Sequence, residues 1–252
     1  MLMPPPSTPA WNIVPQGDRS VLIVLGEGIS IPTGHCCIAA AAALRAVKIE
    51  GVSDIVPTFN AVAVHYQPRL FGASADASTS HQNLIKKINA VLVHVFSQDI
   101  AGVESRQINI PVCYGGSYGP DLAFVADHCG LTEARVIQLH SEPLAYVFML
   151  GFAPGAPYIG VHDERLSIGR RSTPRTSLPA GSVAIANRQT MIYPNASPGG
   201  WHVLGATPLV LFDPMTEPAT LLRPGDTVRF VPIDPAEYLA LYHERGHGHE
   251  RP

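Results

Sequence analysis

From Glu142 onward, short apolar runs alternate with turns rich in proline and glycine, at intervals of roughly ten residues. These runs are LAYVFML, SVAIAN, MIYP, WHVLG, PLVLFD and TVRFVPI. The chain of 252 residues contains 24 prolines and 22 glycines, and only 15% of its residues are charged. This composition favours a turn-rich, β-heavy protein over a helical bundle. The second half is therefore predicted to be a β-barrel or a β-sandwich.

The first half has a different texture, in which strands alternate with helices. SVLIVLG reads as a buried strand because of its β-branched run, and Thr33 is predicted to cap a helix through HCCIAAAAALRAVKI. Two strands broken near Pro57 follow, and then a second helix from Ser78 or Ser80 to about Val95. The order strand, helix, strand, strand, helix is typical of a ferredoxin-like domain, although no closing strand is evident.

These two textures predict two domains joined by a polar linker. Near the start of the second domain, Asp121 is placed in the first turn of one short helix, and Thr132 is predicted to cap the next. The expected boundaries are a flexible leader over 1–16, an α/β domain over 17–96, a linker over 97–106, a β-barrel domain over 107–238 and a flexible tail over 239–252.

Charge, hydropathy and cysteine content exclude several classes of protein. The formal net charge is -3, so no general attraction to nucleic acid or to an acidic membrane is expected. The longest uncharged apolar run, Cys36 to Leu44, is too short to span a bilayer, and the N-terminal segment lacks the basic residues of a signal peptide. Cys36, Cys37, Cys113 and Cys129 form no CxxC pair, so we expect reduced thiols in a cytoplasmic protein.

The segment between Arg165 and Phe212 carries positive charge without any acidic residue. It contains no Asp, Glu or Lys, and its arginines are Arg165, Arg170, Arg171, Arg175 and Arg188. Such like charges repel each other unless they are spread in solvent or face an anion, and arginine forms bidentate contacts with carboxylate and phosphate. The segment is therefore either a solvated rim or a surface for an acidic ligand or an acidic partner.

The uncharged stretch GFAPGAPYIG precedes this arginine-rich segment. It holds Phe152 and Tyr158 among glycines, which allow close approach of the backbone, and prolines, which stiffen the loop. Trp201 follows a pair of glycines in the same half. A rigid apolar wall with a cationic neighbour suits a small polar anion.

A nucleophilic serine is an alternative interpretation. GGSYG matches the pattern G-x-S-x-G between a strand and a helix, with Ser117 at its centre. Ser117 would need a histidine base, such as His140 or His202, and an acidic orienter such as Asp213. A proline follows at once and no parallel α/β pattern surrounds the motif, so a glycine-rich turn is favoured. No metal site is predicted, since the histidines that might form one by their spacing lie in the predicted flexible tail.

Five segments together are similar to a known family: IPVCYGGSYGPDLAFVA, GFAPGAPYIG, RRSTPR, LPAGSVAIANRQTMIYPNASPGGWHVLGATPLVLFDP and LLRPGDTVRFVPI. From roughly Gly17 to Ile233 the sequence resembles the family of the B component of bacterial 5-oxoprolinase, also called allophanate hydrolase subunit 1. That family includes the sporulation-kinase inhibitor of bacilli and resembles part of the carboxyltransferase region of urea carboxylase. The sequence departs from the family at Ser117, where Glu is usual, and at Ala156, where Phe is usual.

The resemblance implies an α+β fold, with a small α/β N-terminal domain followed by a cyclophilin-like β-barrel. It implies the B component of an ATP-dependent hydrolase, a 5-oxoprolinase that opens 5-oxoproline to glutamate together with a C component and a third component. ATP with Mg would be bound in the assembled complex, and the B and C components together would phosphorylate the lactam oxygen. Two alternatives remain: a regulatory protein that inhibits a histidine kinase, and a protein that acts on urea or allophanate.

The predicted site lies in the barrel domain. His202 is the candidate catalytic acid or base. The residues predicted to bind a substrate or anion are Phe152, Pro154, Gly155, Tyr158, Arg170, Arg171, Arg175, Gln189, Ser197, Gly199, Gly200 and Trp201.

Overall fold

The computed structural model describes residues 10–72, 79–97 and 105–244. The chain divides into two compact units, Met1–Glu104 and Ser105–Pro252. Arg106, which falls within the predicted linker, belongs to the second unit because its guanidinium binds the carboxylate of Asp226. Residues 98–104 of the predicted linker lie outside the described residues.

The first unit is a four-stranded antiparallel sheet with two helices, in the spatial order β1-β2-β4-β3. Its elements are β1 (Asn12–Pro15), β2 (Ser20–Val24), α1 (Ile31–Val47), β3 (Val52–Pro57), β4 (Ala61–Tyr66) and α2 (Ser80–Ser97). The strand that the ferredoxin-like pattern lacked is β1, which pairs with β2 at the sheet edge. The structure thus corrects the predicted leader over 1–16 at residues 12–15; residues 1–9 lie outside the described residues.

The core of the first unit forms where apolar side chains of alternate strand residues meet the helices. Leu84, Ile88 and Leu92 are fully buried along α2, and their spacing of four residues places them on one helix face. The start of α1 differs from the prediction. Ser30, and not Thr33, is the N-cap, because the Ser30 hydroxyl accepts a hydrogen bond from the Thr33 backbone N–H at 3.2 Å.

The second unit is a closed seven-stranded barrel in the order β10-β7-β6-β13-β5-β12-β9, with a separate two-stranded sheet of β8 and β11. Its elements are β5 (Gln107–Tyr114), α3 (Leu122–His128), α4 (Glu133–Ser141), β6 (Ala145–Leu150), β7 (Pro157–Gly160), β8 (Arg175–Leu178), β9 (Ser182–Ala186), β10 (Gln189–Ile192), β11 (Ser197–Gly199), β12 (His202–Ala206), β13 (Thr227–Ile233) and α5 (Pro235–Glu244). Strands β5 and β13 run parallel, and the other barrel pairs are antiparallel.

The barrel interior is apolar and closely filled. Ile110, Val147, Ile159, Val183 and Phe230 meet there and are almost completely buried. Helices α3 and α4 pack together in a second apolar cluster that includes residues of β9 and β12. Thr132 caps α4 as predicted, since its hydroxyl accepts from the backbone N–H of Arg135.

The predicted α+β fold class, with an α/β unit followed by a β-barrel unit, is confirmed. The flexible tail predicted over 239–252 is corrected in its first part, because α5 continues to Glu244 and buries Tyr238; residues 245–252 lie outside the described residues. None of the helices in the described part of the chain has the length and apolarity of a membrane span.

Candidate functional site

Four aromatic side chains gather on one face of the barrel strands, and we call Phe152, Tyr158, Tyr193 and Trp201 the aromatic wall. The ring centroids of Tyr158 and Trp201 are 6.0 Å apart, and those of Phe152 and Tyr193 are 6.2 Å apart, both nearly edge to face. Met191, which pairs with Tyr158 across β10 and β7, packs in the same cluster. Because side chains alternate along a strand, this face is opposite the barrel core.

The loop of GFAPGAPYIG presents Phe152 to solvent. The Phe152 backbone has a φ of 71°, a left-handed conformation that is uncommon for a bulky residue, and its side chain is 63% exposed. The loop is closed by a hydrogen bond from the Gly151 N–H to the Ala156 carbonyl at 3.0 Å. Pro154 is exposed on the same loop, whereas Ala156 is fully buried. The sequence departure at Ala156 therefore lies inside the protein. Within the aromatic wall, Phe152 is exposed and Tyr158 is half-buried, whereas Tyr193 and Trp201 are buried.

The glycines of the site make room for protein atoms. A Cβ on Gly199 would lie 2.4 Å from the Tyr193 hydroxyl, and one on Gly155, where φ is +78°, would lie 2.8 Å from the Phe212 Cβ. A Cβ on Gly200 would meet nothing closer than the Pro174 Cγ at 3.6 Å. Gly199 and Gly155 are thus required for packing, and only Gly200 has the open space expected for close approach of a ligand.

Asp121 binds two of the predicted anion-contacting arginines, and we call Asp121, Arg171 and Arg175 the Asp121 cluster. Arg175 donates from Nη1 to Oδ2 at 2.6 Å and from Nη2 to Oδ1 at 2.8 Å, and Arg171 Nη1 donates to Oδ1 at 2.8 Å. The backbone N–H of Val203 also donates to Oδ2 at 2.8 Å. The carboxylate therefore accepts four hydrogen bonds, and the cluster retains one positive charge in excess.

The arginines hold Asp121 ionised although it is buried. Its side chain is 5% exposed, and each guanidinium-bearing side chain is 28% exposed. Burial alone would raise the pKa of Asp121, but the hydrogen bonds from Arg175 and Val203 and the two positive charges outweigh it, so the pKa lies below its usual value. The sequence left Arg171 and Arg175 to solvent or to an acidic ligand or partner, whereas the structure gives them an acidic partner from a distant part of the same sequence.

The other arginines of the segment between Arg165 and Phe212 differ in their partners. Arg165 forms a bidentate pair with Asp163, with both distances 2.8 Å, and Arg188 Nε donates to the His162 carbonyl at 2.8 Å. The Arg170 side chain is exposed, and within residues 10–72, 79–97 and 105–244 its guanidinium has no hydrogen bond or ion pair. Arg170 is therefore the one cation of this segment, among the described residues, that no acid or carbonyl engages.

The positive charge of Arg170 acts on two phenols of the aromatic wall. Burial raises the pKa of Tyr158 above its ordinary value, and the positive charge of Arg170 partly opposes this rise. Burial also raises the pKa of Tyr193, and Arg170 again acts in the opposite direction. The segment is held in place because the Arg171 backbone N–H donates to the Gly200 carbonyl at 2.7 Å.

The remaining predicted residues are divided between two sides of the strands. Gln189 is half-buried on β10 and pairs with Gly160, on the same strand face as Met191. Ser197 is half-buried on β11, where its hydroxyl donates to the Asn195 carbonyl at 3.4 Å. Both residues belong to strands that border the aromatic wall.

His202 is on the opposite side. Its ring stacks on Phe124 of α3 at 5.3 Å, its side chain is buried, and its Nδ1 has no hydrogen-bond partner among the described residues. Burial lowers the pKa of His202, against the attraction of Asp121. Trp201, a member of the aromatic wall, and Val203 lie on either side of His202 in the sequence and pack in the same apolar cluster. Because side chains alternate along a strand, the His202 side chain points away from that wall.

A second polar group, which the sequence did not reveal, lies inside the barrel. The Tyr114 hydroxyl is 2.7 Å from His140 Nδ1, His140 Nε2 is 2.9 Å from the Thr190 hydroxyl, and that hydroxyl is 2.6 Å from His162 Nε2. We call Tyr114, His140, Thr190 and His162 the interior chain. Burial lowers the pKa of both imidazoles, and that of His162 falls to about 4. Both histidines are therefore neutral near pH 7.

The nucleophilic serine has no support in the geometry. Ser117 is exposed in a turn whose Gly115 and Gly116 have positive φ, and no hydrogen bond within the described residues joins it to His140 or His202. In the described part of the chain, no three His, Cys, Asp or Glu side chains converge as a metal site. A cleft of about 440 Å³ lies in the first unit, but its lining mixes Arg45 and Lys48 with Glu50 and Asp54 and gives no charge preference.

Asp121 and Tyr193 are the two site residues that the sequence-based prediction missed. The sequence contains a pattern that could have identified Tyr193, because it follows Gln189 and Met191 at a spacing of two residues and so shares their strand face. Asp121 had only the signal of an acid at a helix start. Its carboxylate makes no capping hydrogen bond to α3 and binds the two arginines instead.

Comparison with known proteins identifies the family of this chain. Residues 11–222 match the family model of the carboxyltransferase domain, subdomain C and D. The B component of 5-oxoprolinase from Bacillus subtilis is 38% identical over 238 residues, which cover 94% of this chain and 99% of that protein. The chain therefore belongs to the carboxyltransferase-domain family that includes the B components of bacterial 5-oxoprolinases.

Solved structures agree with this assignment. The crystal structure of TTHA0988 matches with a TM-score of 0.72 and 35% identity over 86% of this chain, which spans only 40% of the TTHA0988 chain. The urea carboxylase of Kluyveromyces lactis matches with a TM-score of 0.73 over 96% of this chain and 24% of its own chain. At 18% identity, the second match shows a shared fold alone.

Proposed function

We propose that this chain is the B component of an ATP-dependent hydrolase of the 5-oxoprolinase type, and that its barrel unit binds a small cyclic amide bearing a carboxylate. The observation that carries the proposal is an aromatic wall on whose phenols the charge of Arg170, unpaired among the described residues, acts. An apolar ring can pack on the exposed Phe152 and the half-buried Tyr158, while guanidinium groups are suited to a carboxylate. 5-Oxoproline has both features.

The residues of this chain would bind and orient the substrate. Phe152 and Tyr158 would cover the faces of the lactam ring and exclude water, and the half-buried Gln189 would donate to the lactam carbonyl oxygen. The Asp121 cluster keeps its arginines in fixed positions, so that little side-chain entropy is lost on binding. Since His202 faces away from this wall, the proposal assigns proton transfer to a residue of the assembled complex.

We do not place ATP on this chain alone. Arg171 and Arg175 are bound to Asp121, and no group of acidic or histidine side chains is arranged to hold Mg in the described part of the chain. We therefore assign ATP and Mg to the complex with the C component and a third component, and we derive no step through them. The Bacillus subtilis relative is named as one subunit of a 5-oxoprolinase, and the TTHA0988 chain is longer than this one; both support the need for further protein.

Reconstitution tests the proposal. This chain would be produced alone and together with its candidate partner proteins, and glutamate formation from 5-oxoproline would be measured with and without ATP. We expect turnover only in the assembled complex and only with ATP. Turnover by the single purified chain would contradict the role as one part of a complex. A complex that hydrolyses urea-derived substrates but not 5-oxoproline would contradict the assigned substrate.

A further inference from the structure

Arg170 differs from its neighbours in what it is free to bind. Arg171 and Arg175 share Asp121, Arg165 pairs with Asp163, and Arg188 donates to a backbone carbonyl. The guanidinium of Arg170 has no such partner among the described residues. An anion that enters from solvent would therefore find all the donors of Arg170 available, and only part of those of Arg171 and Arg175.

The backbone fixes the base of Arg170 beside the aromatic wall. The next residue, Arg171, is bound to the Gly200 carbonyl at 2.7 Å, and Arg175 on β8 pairs with Gly199 on β11. The segment is thus attached at both ends to the strand that leads to Trp201. The positive charge of Arg170 opposes the burial that raises the pKa of Tyr158 and of Tyr193.

The Asp121 cluster makes this position favourable for an anion. One carboxylate for two guanidinium groups leaves an excess positive charge next to Arg170, with no further acid between Arg165 and Phe212 in the sequence. An added anion would relieve this repulsion. A purely structural arginine pair would be expected to balance its charge, and this one does not.

We infer that Arg170 is the residue that selects a carboxylate-bearing ligand, and that Asp121 is a positioning residue that holds Arg171 and Arg175 beside it. This inference rests on the proposed function and specifies its substrate class. The ligand is a small ring that packs on the wall and carries a carboxylate, which Arg170 binds through two parallel N–H donors. The same ring without a carboxylate would lose this contact but keep the wall.

The test uses the assembled complex and two probes, 5-oxoproline and 2-pyrrolidone, which has the same ring without the carboxylate. Dissociation constants for both probes and the kcat and KM for 5-oxoproline would be measured in the wild type and in Arg170→Gln and Arg170→Lys. Arg165→Gln is the matched control, because it removes the same charge from the same segment at an exposed residue outside the wall.

We expect Arg170→Gln to raise the KM and the dissociation constant of 5-oxoproline by about ten- to hundredfold. Because the carboxylate takes no part in opening the lactam, kcat should stay within about twofold. Binding of 2-pyrrolidone should not change, Arg170→Lys should recover part of the affinity, and Arg165→Gln should behave as the wild type.

The outcomes separate this inference from the proposed function. Normal turnover with an unchanged KM in Arg170→Gln would overturn the inference and leave the function intact. Binding of 5-oxoproline that depends on Arg170, without any turnover by the wild-type complex, would support the inference and contradict the function. A wild-type complex that does not prefer 5-oxoproline over 2-pyrrolidone would overturn the inference.

Discussion

Two buried aspartates of the barrel unit bind arginine in different proportions. Asp226 receives Nε and Nη2 of Arg106 and the backbone N–H of Arg223, so that one carboxylate meets one guanidinium. Asp121 receives two guanidinium groups and the backbone N–H of Val203. Both carboxylate side chains are 5% exposed. The first cluster is neutral, as a structural link should be, whereas the second carries a charge that only a further anion can balance.

Asp121→Asn should give the largest effect on stability. The amide would place N–H donors where the arginines and Val203 require acceptors, so we expect a loss of about 3 kcal/mol in the free energy of unfolding. Urea unfolding of the purified chain measures this loss. Asp226→Asn is the matched control, with an expected loss of about 2 kcal/mol because Arg106 is 40% exposed and is better solvated.

The two variants should differ in their effect on the ligand. In the assembled complex, Asp121→Asn should raise the KM for 5-oxoproline, because Arg171 and Arg175 would lose their fixed positions. Asp226→Asn should leave the KM unchanged. Equal changes in both variants would mean that the clusters differ in charge but have the same structural role.

Mild acid should test the interior chain while the Asp121 carboxylate stays ionised. The pKa of His162 is lowered to about 4 in the folded state, so its contribution is fully present above the unfolded pKa of about 6.5 and is lost as the pH falls toward 4. At pH 5 this loss is about 2 kcal/mol for His162, and His140 and His202 act in the same direction. The low pKa of Asp121 keeps its cluster ionised in this range.

Urea unfolding at pH 7 and pH 5 measures this dependence, with His162→Gln as the comparison. The variant should lose less stability between these two pH values, because one fewer group binds a proton on unfolding. An identical pH dependence in the variant and the wild type would show that His162 is not the group responsible.

A smaller effect is expected from the glycines that carry the arginine segment. Gly199→Ala should reduce the free energy of unfolding by about 1–2 kcal/mol, because the new methyl group meets the Tyr193 hydroxyl and the Leu178 side chain. Gly200→Ala, with open space around it, should change stability by less than about 0.5 kcal/mol. Thermal melting of the two variants compares them directly, and a reversed order would contradict the described packing.

Local patterns predicted much of the fold, since strand runs, turn residues and helix spacing are read within a few residues. The strands on either side of Pro57 and the barrel texture after Glu142 are of this kind. Strand β1 escaped prediction because four residues that end in proline give a weak local signal, and pairing with β2 supplies the rest. Here tertiary contact, and not propensity, decides the structure.

The same difference between local and distant signals applies to the candidate site. The aromatic wall was visible because glycine, proline and aromatic residues are concentrated in short stretches. The Asp121 cluster was not, because the contact between Asp121 and Arg175 spans 54 positions and depends on how α3 meets β8 and β12. A charge count within one segment therefore overestimated how many of its arginines are free.

The most direct test of the account is the ratio of the dissociation constants of 2-pyrrolidone and 5-oxoproline in the wild-type complex and in Arg170→Gln. The excess positive charge at the Asp121 cluster and the free guanidinium of Arg170 predict a strong preference for 5-oxoproline in the wild type. This preference should fall by about tenfold or more in the variant. An equal ratio in both proteins would contradict the claim that this surface recognises a carboxylate through Arg170.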